Sequence, residues 1–182
     1  MTVVDLRECT LFWESASPEE TERMGEILGR LLRSGDVVAL FGELGSGKTV
    51  LVRGIAAGLG CRRGDVHSPS FTLVNEYVRD SGTQDGAGPG GQRRMAHVDL
   101  YRIQSEDEIP GIGWEEYLHS WHVVAVEWAD RAEGWLPRDH LRVSLEVLGQ
   151  QRRCLRVLAT GRRSVQVALD WVEAAGITAS AC

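Results

Sequence analysis

Three features of this 182-residue chain predict an α/β fold with a mixed, mostly parallel central sheet and helices on both faces. Val37 to Phe41 is an unbroken apolar run, the pattern of a strand buried on both sides. Segments with helical apolar spacing stand directly before and after it. Two later apolar runs, Met95 to Leu100 and Val123 to Glu127, each carry one acid near their carboxyl end, where open parallel sheets bind ligands.

The elements follow in order. Ser17-Pro18-Glu19-Glu20 is a helix start: Ser17 caps, Pro18 suits the first turn and Glu20 completes a capping box. Met24, Ile27, Leu28, Leu31 and Leu32 then recur at helical spacing, and Gly35 ends the segment. After the strand at Val37, a helical pattern runs from Gly47 to about Leu59, with Gly60 placed to close it. Ser70 to Val78 mixes β-branched and aromatic residues and reads as a strand. Leu141 to Val147 and Cys154 to Ala159, separated by Gly149-Gln150-Gln151, read as a hairpin, so the C-terminal strands are partly antiparallel. Ser164 to Ala175 reads as a last helix closed by Gly176, inside a variable tail over 161–182. The segment 80–94 is rich in Gly and polar residues and nearly devoid of apolar ones, so it is expected to be a mobile loop.

A chain of this length is expected to form a single domain over 1–182, burying roughly 70% of its unfolded surface. The net charge of −6 argues against DNA or direct wrapping of nucleic acid, whose binding rests on phosphate neutralisation. Cys9, Cys61, Cys154 and Cys182 form no CxxC pair and no zinc spacing, as expected of reduced thiols. The N-terminus lacks the pattern of a signal peptide, and no apolar run approaches the ~20 residues needed to span a bilayer. The expected location is therefore the cytoplasm, with no membrane partner.

The most specific signal is GELGSGKT, Gly42 to Thr49, which matches G-x-x-x-x-G-K-[ST]. It holds the one lysine of the chain; all other basic side chains of the Lys-plus-Arg total are arginine. A compact ammonium can enter a ring of backbone amides and bridge phosphates, where a planar guanidinium cannot. In such a loop Gly42, Gly45 and Gly47 permit the sharp backbone, and the amides of Glu43, Leu44, Ser46 and their neighbours turn inward onto phosphate oxygens. Lys48 supplies a mobile charge and Thr49 a hydroxyl for magnesium. The motif follows a predicted strand and opens a predicted helix, which is the context of a P-loop NTPase-like fold. The bland alternative is a glycine-rich turn that binds nothing.

Phosphoryl transfer also needs carboxylates that hold magnesium and orient water. Asp99 and Glu127, at the ends of two predicted strands, are the candidates; the alternative is a solvated or salt-bridged strand end. Ser68-Pro69-Ser70-Phe71-Thr72 reads as a switch-like segment whose hydroxyls, Ser70 and Thr72 among them, would sense the outer phosphate or its metal. His97 is expected to pack or to make a fixed hydrogen bond. Trp128, next to Glu127, is placed near the site.

GELGSGKT, SPSFTLVNEY, HVDLYR, GIGWEEYL and VEWADR with a following LP occur in one order over roughly residues 5 to 160. With these motifs the chain resembles the TsaE (YjeE) family of P-loop ATPases. The resemblance implies an ATP-binding, Mg2+-dependent, weakly active ATPase that works with TsaB and TsaD. Their joint reaction is threonylcarbamoylation of the adenosine beside the anticodon in tRNAs reading codons that begin with A. tRNA would be met only through the complex. The resemblance also implies roles for residues: Lys48 on phosphate, Thr49 and Glu127 on magnesium, Asp99 in metal and nucleotide function, Ser17 and Pro18 near the base, and Arg152 approaching the nucleotide from the late hairpin. Ser70 stands where the family usually has threonine. Pro110 and Gly111 interrupt a stretch that is usually helical, so a shorter or kinked segment is expected there. Two other readings of the motif stay open: a small-molecule P-loop kinase, for which no arginine-bearing lid is evident, and a nucleotide-gated scaffold without significant hydrolysis.

Overall fold

The computed structural model describes residues 10–79, 94–119, 121–176 and 180–181. Its framework is one eight-stranded sheet in the order β3-β4-β5-β2-β6-β7-β1-β8. At the centre lies β2 (Val37–Phe41), buried along its whole length as its apolar run requires. It pairs in parallel with β5 (His122–Glu127) on one side and β6 (Leu141–Val147) on the other. β4 (Arg94–Asp99) extends the parallel set beyond β5. Antiparallel strands close both flanks: β3 (Val74–Val78) lies against β4, and β7 (Arg153–Ala159), β1 (Thr10–Ser15) and β8 (Ser180–Ala181) follow β6. Five of the eight strands, β1, β2, β4, β5 and β6, thus run one way.

Helices cover both faces, and side-chain alternation along β2 divides the core between them. Val38 and Leu40 face α1 (Pro18–Leu31), α2 (Lys48–Gly58) and α4 (Arg162–Ala175), packing with Leu28, Ile55 and Trp171. Val37, Ala39 and Phe41 face α3 (Trp114–His119) and two 3-10 segments, Glu106–Ile112 and Ala129–Trp135, packing with Ile109 and Trp114. The tryptophans act as core anchors: Trp171 donates its indole N–H to the Met24 carbonyl, and Trp114 donates to that of Trp135.

Several boundaries depart from the sequence reading. β1 was not anticipated. It is short, its residues do not alternate cleanly between apolar and polar, and its partner β7 lies far along the chain. The strand expected from Ser70 begins only at Val74. Residues before it are held in a turn by the Leu73 N–H, which donates to the Pro69 carbonyl at 2.6 Å. α1 begins as expected, with the Ser17 hydroxyl accepting from the Glu20 N–H, but ends at Leu31 rather than near Gly35. The interruption at Pro110 is a 3-10 segment closed by Gly113 before α3. The loop expected over 80–94 lies outside the described residues except for Arg94, which opens β4. Cys61 and Cys154 are free thiols, and burial pushes Cys61 up to about 11, the mark of an inert thiol; Cys9 and Cys182 lie outside the described residues.

α1 and α2 approach so closely that their glycines are required. A Cβ on Gly54 would lie 2.0 Å from the Glu22 carbonyl oxygen, and one on Gly25 would lie 2.2 Å from that of Leu51. Gly29 and Gly58 repeat the contact one turn on, against Ile55 and Glu26. The pairing advances in the same sense on both helices, so they run parallel. The start of α1 and the start of α2 therefore share one end of the molecule. In an isolated helix Gly54→Ala would stabilise by about 1 kcal/mol through propensity. Here the backbone clash outweighs that gain, so Gly54→Ala is expected to destabilise the fold by about 1–3 kcal/mol in urea unfolding.

Candidate phosphate-binding site

The glycine loop bridges the end of β2 and the start of α2, as its sequence context requires. Gly42, Gly45 and Gly47 all take positive φ. Gly42 is also confined, since a Cβ there would stand 2.4 Å from the Leu145 carbonyl oxygen. The loop tip, Glu43 to Gly45, is exposed, whereas Ser46 is fully buried. Among the described residues the loop and its surroundings enclose about 400 Å³ of space lined by Lys48, Thr49, Ser70, Asp99, Glu127 and Trp128, among others. A cleft of about 530 Å³ opens elsewhere, between Cys61 and Arg79 at the β3 edge, but includes none of the glycine loop.

Lys48 is 4% exposed. Its ammonium donates to the carbonyls of Gly42 and Glu43 at 2.6 and 2.9 Å and lies 3.9 Å from the centre of the Trp128 ring. Burial pulls its pKa below the usual lysine range, against the opposing pull of Glu127, Asp99, Asp130 and Glu43. A desolvated cation over an indole face gains about 2 kcal/mol. Trp128 adopts φ 58 and ψ 43, a left-handed backbone that is strained for so bulky a residue. That conformation carries the chain off the end of β5 into the Ala129–Trp135 segment.

Thr49 and Glu127 meet directly: the hydroxyl donates to the two carboxylate oxygens at 2.7 and 3.0 Å. Glu127 is 3% exposed. Its Oε1 also lies 2.8 Å from Nε2 of fully buried His97, one strand away. A carboxylate there needs a donor, so the ring carries its proton on Nε2. Nδ1 is left buried without a partner. The fixed hydrogen bond expected of His97 is thus present.

Asp99, directly across from Glu127 in the β4–β5 register, gathers a second set of donors. The Ser68 and Ser70 hydroxyls donate to its Oδ2 at 2.5 and 2.9 Å, and the Tyr101 N–H donates to Oδ1 at 2.9 Å. The switch-like segment is therefore tied to an acid of the site through two serines. Thr72 points elsewhere, toward the side-chain oxygen of Asn75 at 3.0 Å. Leu73, at φ 65, ends the segment.

The remaining expected residues divide. Ser17 and Pro18 lie at the end of α1 that neighbours the loop, because α1 and α2 are parallel. Arg152 does not reach the loop: it pairs with Glu14 of β1 at 2.5 Å, both side chains being exposed. Arg153, which the sequence reading passed over, is the residue that does, donating to the Ser46 and Gly45 carbonyls at 2.9 and 3.1 Å. The signal available in the sequence was two adjacent arginines after a predicted turn, and strand register decides which one turns toward the loop.

The donors suit a hard cation beside phosphates. Thr49 offers a hydroxyl oxygen, and Glu127 and Asp99 offer carboxylates, the ligand types that magnesium prefers. No cluster of three or more His, Cys, Asp or Glu side chains able to hold a metal by themselves occurs among the described residues. No helix among the described residues is long and apolar enough to cross a membrane.

Known proteins resemble this chain along most of its length. The family described as "Threonylcarbamoyl adenosine biosynthesis protein TsaE" matches residues 15–155. A Bacillus subtilis protein named tRNA threonylcarbamoyladenosine biosynthesis protein TsaE is 37% identical, over 84% of this chain and 88% of its own. A Treponema pallidum protein of the same name is 36% identical, over 85% of this chain and 97% of its own. A crystal structure of Bacillus subtilis YdiB superposes with a TM-score of 0.70 at 29% identity, covering 91% of this chain and 96% of that one.

His97→Leu is expected to leave the buried Glu127 carboxylate with Thr49 as its one remaining side-chain donor among the described residues. It should destabilise the ligand-free protein by about 1–3 kcal/mol in chemical denaturation. A change below about 0.5 kcal/mol would mean that the bond carries no weight.

Proposed function

The chain belongs to the TsaE family, and on that premise we propose that it binds ATP with Mg2+ at the glycine loop and hydrolyses it weakly, as the ATPase subunit of a tRNA-modifying assembly. The convergence of Lys48, Thr49 and Glu127 on one cavity carries this reading. Its partners are TsaB and TsaD, in the cytoplasm, and tRNA is engaged through that assembly. The modification is threonylcarbamoylation of the adenosine beside the anticodon in tRNAs reading codons that begin with A.

Each residue has a part that its environment supports. The loop amides and the start of α2 present partial positive charge to phosphate oxygens. The Lys48 ammonium, weakly solvated and bonded to two carbonyls, the Ser46 hydroxyl and a ring face, can turn to phosphate oxygens without first shedding water. Thr49 and Glu127 would hold Mg2+, which when bound neutralises charge on the phosphates. His97 keeps the Glu127 carboxylate aimed into the cavity. Asp99 couples the site to Ser68 and Ser70, so a change of ligand at the acid is felt by the segment that carries exposed Phe71.

Lys48→Ala is expected to abolish ATP binding in calorimetry while leaving the unfolding transition in place; unchanged ATP affinity refutes the site. Glu127→Ala should reduce Mg2+-dependent hydrolysis more than it reduces nucleotide affinity. Equal losses would assign Glu127 a purely structural role. Pull-down of TsaB and TsaD with and without ATP separates this reading from a free-standing kinase, which would retain neither.

A further inference from the structure

Arg153 opens β7, and its guanidinium spans two structures that the chain separates by about a hundred residues. On one side Nε donates to the Ser46 carbonyl at 2.9 Å and one terminal nitrogen donates to the Gly45 carbonyl at 3.1 Å. On the other side the second terminal nitrogen donates to the carbonyls of Gly149 and Arg152, each at 2.9 Å. Every one of these acceptors is a main-chain carbonyl. A fork of fixed geometry therefore clamps the glycine loop to the turn of the β6–β7 hairpin.

The consequence follows from peptide geometry. In a planar trans peptide the C=O and N–H point in opposite directions. Holding the Gly45 carbonyl outward aims the Ser46 N–H into the loop, where it donates to the Glu43 carbonyl at 3.1 Å. Holding the Ser46 carbonyl outward aims the Gly47 N–H into the loop in the same way. A loop without this clamp would let both planes rotate, since Gly45 and Gly47 impose no steric restraint of their own. The positive charge also polarises the two peptides, strengthening their N–H groups as donors.

We propose that Arg153 is a positioning residue for the phosphate loop: it aims the loop amides at the phosphates through the Gly45 and Ser46 carbonyls, without touching the nucleotide. The effect on nucleotide affinity rests on the function proposed above; the effect on loop order does not.

The test uses the full chain with Arg153→Ala and Arg153→Lys. Hydrogen exchange of the loop amides 43–49 in ligand-free protein should speed up about tenfold in Arg153→Ala. Arg153→Lys, whose ammonium lacks the fork, should fall between Arg153→Ala and wild type. Affinities for ADP and ATP, measured by calorimetry, should fall together by about tenfold, because both nucleotides fill the loop with their β-phosphate, while kcat at saturating ATP stays within about twofold. Unchanged loop exchange overturns the proposal. So does a loss of kcat at unchanged affinity, or a loss confined to ATP, since either would place the guanidinium on the reacting phosphate. If Arg153→Ala fails to fold, Arg153→Lys supplies the same readouts. If the wild type binds neither nucleotide, the proposed function fails, and the exchange measurement still decides the clamp.

Discussion

The carboxylate of Glu127 is the point on which the site is assembled. It sits at the end of β5 with 3% of its surface exposed, and a carboxylate so placed must be given donors. The structure supplies one from each side. Thr49 comes from the first turn of α2, and His97 comes from the neighbouring strand. Through these bonds one acid ties the glycine loop, the helix that follows it and two parallel strands into a single unit. The cost of leaving the carboxylate unpaired is what keeps the hydroxyl of the loop and the acid of the sheet within bonding distance.

Around that hub the architecture is one of close approach. Parallel packing of α1 on α2 through facing glycines brings the first turn of α1 beside the loop. Strain is concentrated where the cavity is made: the two non-glycine residues with positive φ among the described residues are Trp128, after Glu127, and Leu73, after the serine segment. One holds an indole over the Lys48 ammonium; the other ends the segment bonded to Asp99.

The two acids divide the labour spatially. Glu127 faces the loop through Thr49, and Asp99 faces the serine segment through Ser68 and Ser70. Being register partners on adjacent parallel strands, they remain side by side however the loops around them move. Both lie on the sheet face that packs α2, so one surface of the sheet presents the chemistry while the other, against Trp114 and Ile109, is plain core.

The sequence by itself determined what depends on near neighbours. GELGSGKT carries its own conformation, because glycine positions, a single ammonium and the adjoining hydroxyl all act within eight residues. The buried strand before it, the Ser17 cap, and the acids at the ends of β4 and β5 are likewise local patterns of period, capping and burial. Only the tertiary structure decided what depends on distant pairing. β1 exists because β7 supplies its hydrogen-bond partners, which no local signal announces. Gly25, Gly29, Gly54 and Gly58 look like ordinary helix weaknesses until two helices are laid within touching distance. His97 gains its partner from the β4–β5 register, and Arg153 rather than Arg152 reaches the loop because Arg153 is the residue at which β7 begins its pairing beside the loop. A one-residue difference in strand phase is invisible in a list of residues, yet it reverses which side chain meets the site.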